Sequence, residues 1–449
     1  MTGRPDVLVV GAGFAGVAAA TALAEGGARV LVIETRQRPG GRAYSWTDPE
    51  TGEIRDNGQH VLAAFYDETW ALLRRLGTDP ALEADPTFRL RIWERGRGTF
   101  EIRCPDLPAP FHWLAAVGGC PRFSPAARIA SVTLHPRAKA LLADAGRGGD
   151  GANATAARSL TVAAWLDGIP GGADLASVLG PVALAALNEK PEEGAALLFA
   201  GVLDRLFAAP APKSGLALPR RGLGDLVAGF EGYLASRGGA VRYRATALGT
   251  RVDGGRAVGV SLLGGERVDA GAVVLAVPHE RVTWLLRPEF AAPYRAIAAA
   301  PWSPIVSTVH VFDRAILPSR FVGLSGTATH WAFDRGPAAG GRAVGTVRSA
   351  AFADQEREPR AIAEETTMDL REAFPEARGA SLLAARVYKE RKATLRGTPA
   401  TQPLRPPART AVERLFLAGD WTDTGLPPTI EGAVRSGHLA ARLAAEGAR

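Results

Sequence analysis

Asp6-Val7-Leu8-Val9-Val10-Gly11-Ala12-Gly13-Phe14-Ala15-Gly16 is the stretch whose reading decides the fold. Val7 to Val10 is a continuous apolar run, the pattern of a parallel strand buried on both faces. The glycines follow without a gap. Gly11 allows a tight turn, Gly13 lets a pyrophosphate come close to the backbone, and Gly16 lets the next helix pack against the strand. Val17 to Glu25 reads as that helix, with small Ala20 toward a sheet and Gly26-Gly27 as its stop. Its N-terminus offers free N–H groups and a partial positive charge to phosphate. A second strand, Arg29 to Ile33, runs into Glu34, which can accept hydrogen bonds from a ribose diol and would repel a 2′-phosphate. Strand, glycine turn, helix, strand and acid in this order point to a bound dinucleotide.

Just past the acid stand Arg36 and then Arg38-Pro39-Gly40-Gly41-Arg42. Two glycines expose backbone N–H groups, and a guanidinium can clamp a phosphate oxygen bidentately. A nicotinamide enzyme has no need for this second clamp. FAD is therefore the expected cofactor.

The 449 residues suffice for two or three domains with large cores. An apolar fraction of 47% and a charged fraction of 22% are those of a globular protein. The net charge of +7 rests on arginine, and no basic run interleaves with aromatics, so no nucleic-acid partner is expected. A basic surface is compatible with contact to anionic lipid. Cys104 and Cys120 fit neither a zinc nor a redox spacing and read as idle buried thiols, with no metal site. The first apolar run is explained as a strand, so a targeting segment is not expected, and no apolar run of about 20 residues is present to span a membrane.

Asp56-Asn57-Gly58-Gln59-His60, polar between apolar flanks, suggests backbone close to a ligand. Tyr66 to Leu76 reads as an amphipathic helix, and Leu90 to Trp93 and Thr99 to Arg103 as strands. Phe111 to Val117 is apolar with aromatics at its head, either a lipid-dipping segment or an aromatic edge of the core. A helix starts at Ser124-Pro125 and runs to about Leu142, and Asp144 to Arg158 reads as a mobile loop. Further helices are expected at Val162 to Leu166, after Pro181 at Val182 to Leu187, and from Asn188 to Phe207, as a Leu-, Ala- and Phe-rich cap. Gly222 to Ser236 reads as a helix, and Ala272 to Pro278 and Leu415 to Ala418 as buried strands. The runs 304–312, 330–334 and 342–349 alternate as sheet strands do, and a last helix begins at Thr429-Ile430. The expected fold is α/β. A Rossmann-like FAD-binding domain with a parallel sheet is built from 1–80, 215–285 and 405–449, and an inserted α+β substrate domain from 81–214 and 286–404.

Gly11 to Gly16, Glu34, Gly40-Gly41-Arg42 and the strand ending in Gly419-Asp420 together resemble the amine oxidase and phytoene desaturase superfamily, over the whole chain. Three stretches are more particular: Asp56 to His60, Trp331-Ala332-Phe333-Asp334-Arg335-Gly336, and Asp420-Trp421-Thr422-Asp423-Thr424-Gly425-Leu426-Pro427-Pro428-Thr429-Ile430-Glu431-Gly432-Ala433. These resemble the squalene-associated FAD-dependent desaturases, the hydroxysqualene dehydroxylases of bacterial hopanoid biosynthesis.

The resemblance implies reduction of hydroxysqualene to squalene by hydride from reduced flavin to an allylic carbon, inside a long apolar tunnel. It places Gly11, Gly13, Phe14, Ala15, Glu34, Arg36, Gly41 and Arg42 at the ADP half of FAD. Gly419 and Asp420 stand at the ribityl or phosphate, and Thr429, Ile430 and Ala433 at the flavin's pyrimidine edge. Gly58, Gln59 and His60 approach the ring, and Val252 contacts adenine. His60 and then Asp334 are the candidate proton donors. Asp423 and Glu431 lie near the flavin run and are either functional or structural. The electron donor is unidentified, and an isoprenoid substrate implies a cytoplasmic protein held peripherally on the inner membrane face. Two other readings stay open: a carotenoid or phytoene desaturase of the same fold, and a non-catalytic isoprenoid-binding flavoprotein.

Overall fold

The computed structural model describes residues 3–47, 54–146, 152–338 and 340–447. The expected central layer is present. Five strands lie in the order Ala240–Arg242, Val30–Ile33, Val7–Val10, Ala272–Leu275 and Leu415–Leu417, and every neighbouring pair is parallel. Val7 to Val10 is buried throughout, and full burial of each such side chain is worth about 1.5–3 kcal/mol.

The helix Phe14–Glu25 is buried on nearly every side, because it is held between this sheet and the C-terminal helix Ile430–Gly447. A Cβ on Gly16 would collide with the Gly11 carbonyl, and one on Gly437 with that of Ala15. These two glycines set how closely the helix meets the strand turn and the last helix. A single Gly437→Ala change would force the two helices apart.

A second sheet has seven strands, in the order Leu382–Leu395, Trp302–Phe312, Gly341–Arg348, Trp331–Ala338, Phe321–Ser325, Arg89–Glu94 and Gly98–Arg103. Alternation along Trp331–Ala338 divides its two faces. Trp331 and Phe333 join the large apolar cluster of the cap helices, while Ala332 joins a separate cluster with Leu370 and Ala373 of the helix Pro359–Ala373. The cap consists of helices Phe111–Gly119, Pro125–Gly146, Ala152–Ser159, Val162–Asp167, Gly172–Leu187 and Ala196–Ala208.

Several local expectations are corrected. Asp144 to Arg158 is no loop where it is described: one helix continues to Gly146 and another covers Ala152–Ser159, while 147–151 lie outside the described residues. Alanine has the best helix propensity, and Ala154 and Ala157 are buried. The helix Gly172–Leu187 runs through Pro181 instead of starting after it, since Leu175, Val178, Ala183 and Leu187 anchor it on both sides of the proline. Asn188 to Ala195 precedes, and does not belong to, the helix Ala196–Ala208. Gly222 to Ser236 divides into a tight turn of helix, Leu223–Val227, and a short α-helix, Phe230–Ala235. Phe111–Gly119 is a helix whose Trp113 is core, its Nε1 donating to Leu206 O at 3.2 Å, while Phe111 is exposed. Cys104 and Cys120 are free and buried, and burial pushes the Cys104 thiol up to about 12.

Candidate functional site

The two glycine turns face each other. Gly40 N donates to Ala12 O at 2.8 Å, and a Cβ on Gly41 would lie 3.0 Å from Gly13 Cα. Gly11, at φ +103°, has room only for hydrogen, because a Cβ would strike Ala276 O. Phe14 and Ala15 form the first turn of their helix, where N–H groups have no acceptor within the helix. Glu34 is nearly buried, and its carboxylate accepts from Ala12 N at 2.7 Å and Arg36 N at 2.8 Å. Arg36 Nη1 in turn donates to Gly41 O at 2.7 Å. The residues expected at an ADP moiety thus form one connected cradle.

Arg42 carries the cradle to the far end of the chain. Its Nη2 donates to Asp420 Oδ1 at 2.6 Å and its Nη1 to Ala393 O at 2.8 Å. Gly419 N donates to Ser436 Oγ at 2.8 Å, and Ser436 Oγ donates to Ala433 O at 2.6 Å, which fixes the strand end against the last helix. Thr429 caps that helix by accepting from Gly432 N at 3.2 Å, which leaves the N–H groups of its first residues, beginning at Ile430, free for an anion or a carbonyl. Asn57 Nδ2 donates to Arg42 O at 2.9 Å and brings Gly58, Gln59 and His60 beside the same cradle.

These residues fit FAD. The space between Gly13 and Gly41 would be lost to any side chain, as a pyrophosphate site demands. Arg38 Nη1 and His60 Nδ1 are buried with no partner among the described residues, and such atoms call for a partner from outside the chain.

Two expected roles, those of Val252 and Asp334, do not match their positions. Val252 stands on the strand Ala247–Asp253 and lines a surface cavity of about 600 Å³ with Arg4, Asp269 and Arg287. The backbone that abuts Glu34 is instead that of Arg242 and Ala245, with Glu34 N donating to Arg242 O at 2.9 Å and Ala245 N donating to Glu34 O at 3.0 Å. Asp334 pairs in register with Val344, whose side chain belongs to the cluster on the other face of the sheet. Its carboxylate is committed to Arg342 at 2.6 Å and to Gly336 N at 2.9 Å. His60 does reach the site, but burial lowers its pKa below the ordinary imidazole value. At neutral pH it is uncharged, which makes it a poor general acid. Glu431 is structural: it is buried and accepts from Thr69 N at 2.9 Å and Thr69 Oγ1 at 2.7 Å. Asp423 Oδ1 accepts from Gly425 N at 3.3 Å within a turn.

Two residues were missed in the sequence. Arg335 donates to Gln59 Oε1 at 2.9 Å and pairs with Asp56 Oδ2 at 3.2 Å. Arg405 is buried and donates to the carbonyls of Leu426, Asp420 and Thr422 at 2.7, 2.9 and 2.7 Å. Burial lowers its pKa to about 10, so it stays charged at neutral pH and holds the Asp420 to Leu426 loop in shape. A lone arginine among prolines at 403, 406 and 407 was the only signal for it.

The pattern of the family described as flavin containing amine oxidoreductase matches residues 14–445. Hydroxysqualene dehydroxylase of Rhodopseudomonas palustris is 31% identical, with 97% of each chain covered. Hydroxysqualene dehydroxylase of Sinorhizobium fredii is 29% identical, with 98% of each covered. Among solved structures, cyclohexylamine oxidase from Brevibacterium oxydans superposes with a TM-score of 0.70 over the full length of both chains, at 18% identity, a likeness of fold. The chain belongs to the flavin containing amine oxidoreductases, as an FAD-dependent oxidoreductase of the hydroxysqualene dehydroxylase family.

Proposed function

We propose that this chain reduces hydroxysqualene to squalene, with Gly11, Gly13, Phe14, Ala15, Glu34, Arg36, Gly41, Arg42, Gly58, Gln59, Gly419, Asp420, Thr429, Ile430 and Ala433 around FAD. One observation carries the reading. The polar turn Asp56 to His60, tied to the dinucleotide cradle through Asn57 and Arg42, meets the sheet face from which Trp331 and Phe333 enter the cap's apolar cluster. A molecule with one hydroxyl on a long hydrocarbon suits that junction.

Bound and reduced, the flavin supplies a hydride. The balance is then one allylic C–O bond broken, one C–H bond formed, and the hydroxyl leaving as water with one added proton. The chain's contribution is placement and dryness. Trp331, Phe333, Phe65 and Phe199 exclude water from the reacting carbon. The free N–H groups at Ile430 offset negative charge on the pyrimidine edge. His60 stands by as a neutral imidazole, and the added proton is drawn from solvent, not from Asp334.

The electron donor that reduces the flavin is a separate partner. Exposed Leu107, Phe111, Ile129 and Val132, with exposed Arg103 and Arg128 nearby in sequence, support peripheral contact with the inner face of the membrane. No helix among the described residues is long and apolar enough to cross one.

The test is product identity. FAD-loaded protein with chemically reduced flavin and hydroxysqualene is expected to yield squalene by mass analysis. Desaturation of phytoene by the oxidised protein instead, or binding of squalene without turnover, would overturn the reading.

A further inference from the structure

Arg335 is the extra residue of an irregularity in the strand Trp331–Ala338, between Asp334 and Gly336. Its guanidinium is largely buried, and it holds three groups at once: Asp56 Oδ2 at 3.2 Å, Arg221 O at 3.3 Å and Gln59 Oε1 at 2.9 Å. Asp56 is itself fixed, accepting at Oδ1 from Ser45 Oγ at 2.6 Å and Leu223 N at 2.9 Å. The guanidinium therefore has a rigid anchor.

Gln59 is the member of this group with unused capacity. An arginine can donate hydrogen bonds and cannot accept them, so the Gln59 oxygen must face Arg335 and the amide nitrogen must face away. Among the described residues that nitrogen donates to none. Gln59 lies over Gly345, with its Cγ and Cδ 3.4 Å from where a Cβ would stand, and Gly345 pairs in register with Phe333. Its neighbour His60 and, on the same sheet face, Trp331 each bury a ring nitrogen without a partner. The Trp331 indole N–H, a donor in every state, thus stands with the Gln59 amide where the polar turn meets the apolar wall.

We propose that Arg335 is a positioning residue that holds the Gln59 amide with both N–H donors turned to the substrate, where they receive the oxygen of its allylic hydroxyl. The site thereby tells the alcohol from the hydrocarbon product, binding the one and releasing the other. The inference rests on the proposed isoprenoid substrate and adds the groups that recognise its one polar atom.

The test is binding, read from the perturbed absorbance of oxidised FAD-loaded protein titrated with hydroxysqualene and with squalene in matched detergent micelles. Hydrogen bonding by the Gln59 amide is expected to favour the alcohol by about tenfold. Gln59→Glu keeps the pairing with Arg335 but presents no donor, and Arg335→Met keeps the donor but frees its orientation. Both are expected to bring the ratio near one while squalene binding persists in the FAD-loaded protein, and Arg335→Lys is expected to restore part of it. An unchanged ratio in either variant overturns the proposal, as does equal binding of the two ligands by the wild type. Loss of FAD or of both ligands in Arg335→Met would show a merely structural arginine and also overturn it. Failure of the wild type to bind either molecule would instead strike the substrate reading, and this inference with it.

Discussion

Arg42 and Asp420 lie 378 positions apart in sequence and meet at 2.6 Å. The Asp420 side chain is almost out of water and that of Arg42 about two-thirds so. Arg42 follows the second glycine pair and Asp420 lies just beyond the last parallel strand, Leu415–Leu417, so the contact closes the cradle across the chain's two ends. Separated charges of this kind are costly to leave unpaired once buried.

Within that cradle Glu34 shapes the first glycine turn through Ala12 N and Arg36 N. Glu34→Gln keeps the side-chain volume and removes the charge. Titration of the apoprotein is expected to show FAD binding weakened by roughly 1.5–3 kcal/mol, the worth of hydrogen bonds to a charged group. Unchanged affinity would mean that the ribose is held elsewhere.

How much of this could be read from the sequence depended on distance along the chain. The glycine turn, its helix and Glu34 are local, and their spacing alone sets their geometry. Asp334 and Arg335 are adjacent, and only the register Asp334↔Val344 shows which one leaves the site. Arg335 reaches Gln59 across 276 positions, and no periodicity announces such a pair. Val252 was misplaced because the short antiparallel sheet 247–269 leaves the line of Glu34 after Ala245. Pro181 misled because burial on both sides of it outweighs its lost hydrogen bond.

Asp334→Asn should leave single-turnover squalene formation within about threefold of wild type, since the carboxylate faces the other side of the sheet. A hundredfold loss, the scale of a missing general acid, would return it to the chemistry. The same variant loses the Arg342 pair and is expected to melt slightly earlier.

His310 is fully buried, with Nδ1 against Thr308 Oγ1 at 2.9 Å and Nε2 against Ala363 O at 3.2 Å. Burial lowers its pKa from 6.5 to about 4. The unfolded chain therefore takes up this proton first as pH falls. The associated stability is intact above about pH 6.5 and is lost on the way down to about 4, to the extent of about 3 kcal/mol. Calorimetry should show the melting temperature falling through that window, and less steeply in His310→Gln. Equal slopes in the two proteins would exclude His310 as a source.

Phe111 and Ile129 are exposed apolar side chains on neighbouring cap helices. Flotation with anionic liposomes is expected to carry the wild type upward, less so in high salt. Phe111→Asp with Ile129→Asp should stay at the bottom while retaining FAD. Equal flotation of both proteins would place the contact elsewhere.

The central claim is that hydride passes from reduced flavin to the allylic carbon of hydroxysqualene. It is tested most directly by one anaerobic turnover, mixing stoichiometrically reduced, FAD-loaded protein with hydroxysqualene and following flavin absorbance and product together. The expected result is reoxidation of the flavin at the rate at which squalene appears, with one squalene formed per flavin. Flavin that stays reduced while the alcohol is bound, or flavin reoxidised without squalene, would contradict it.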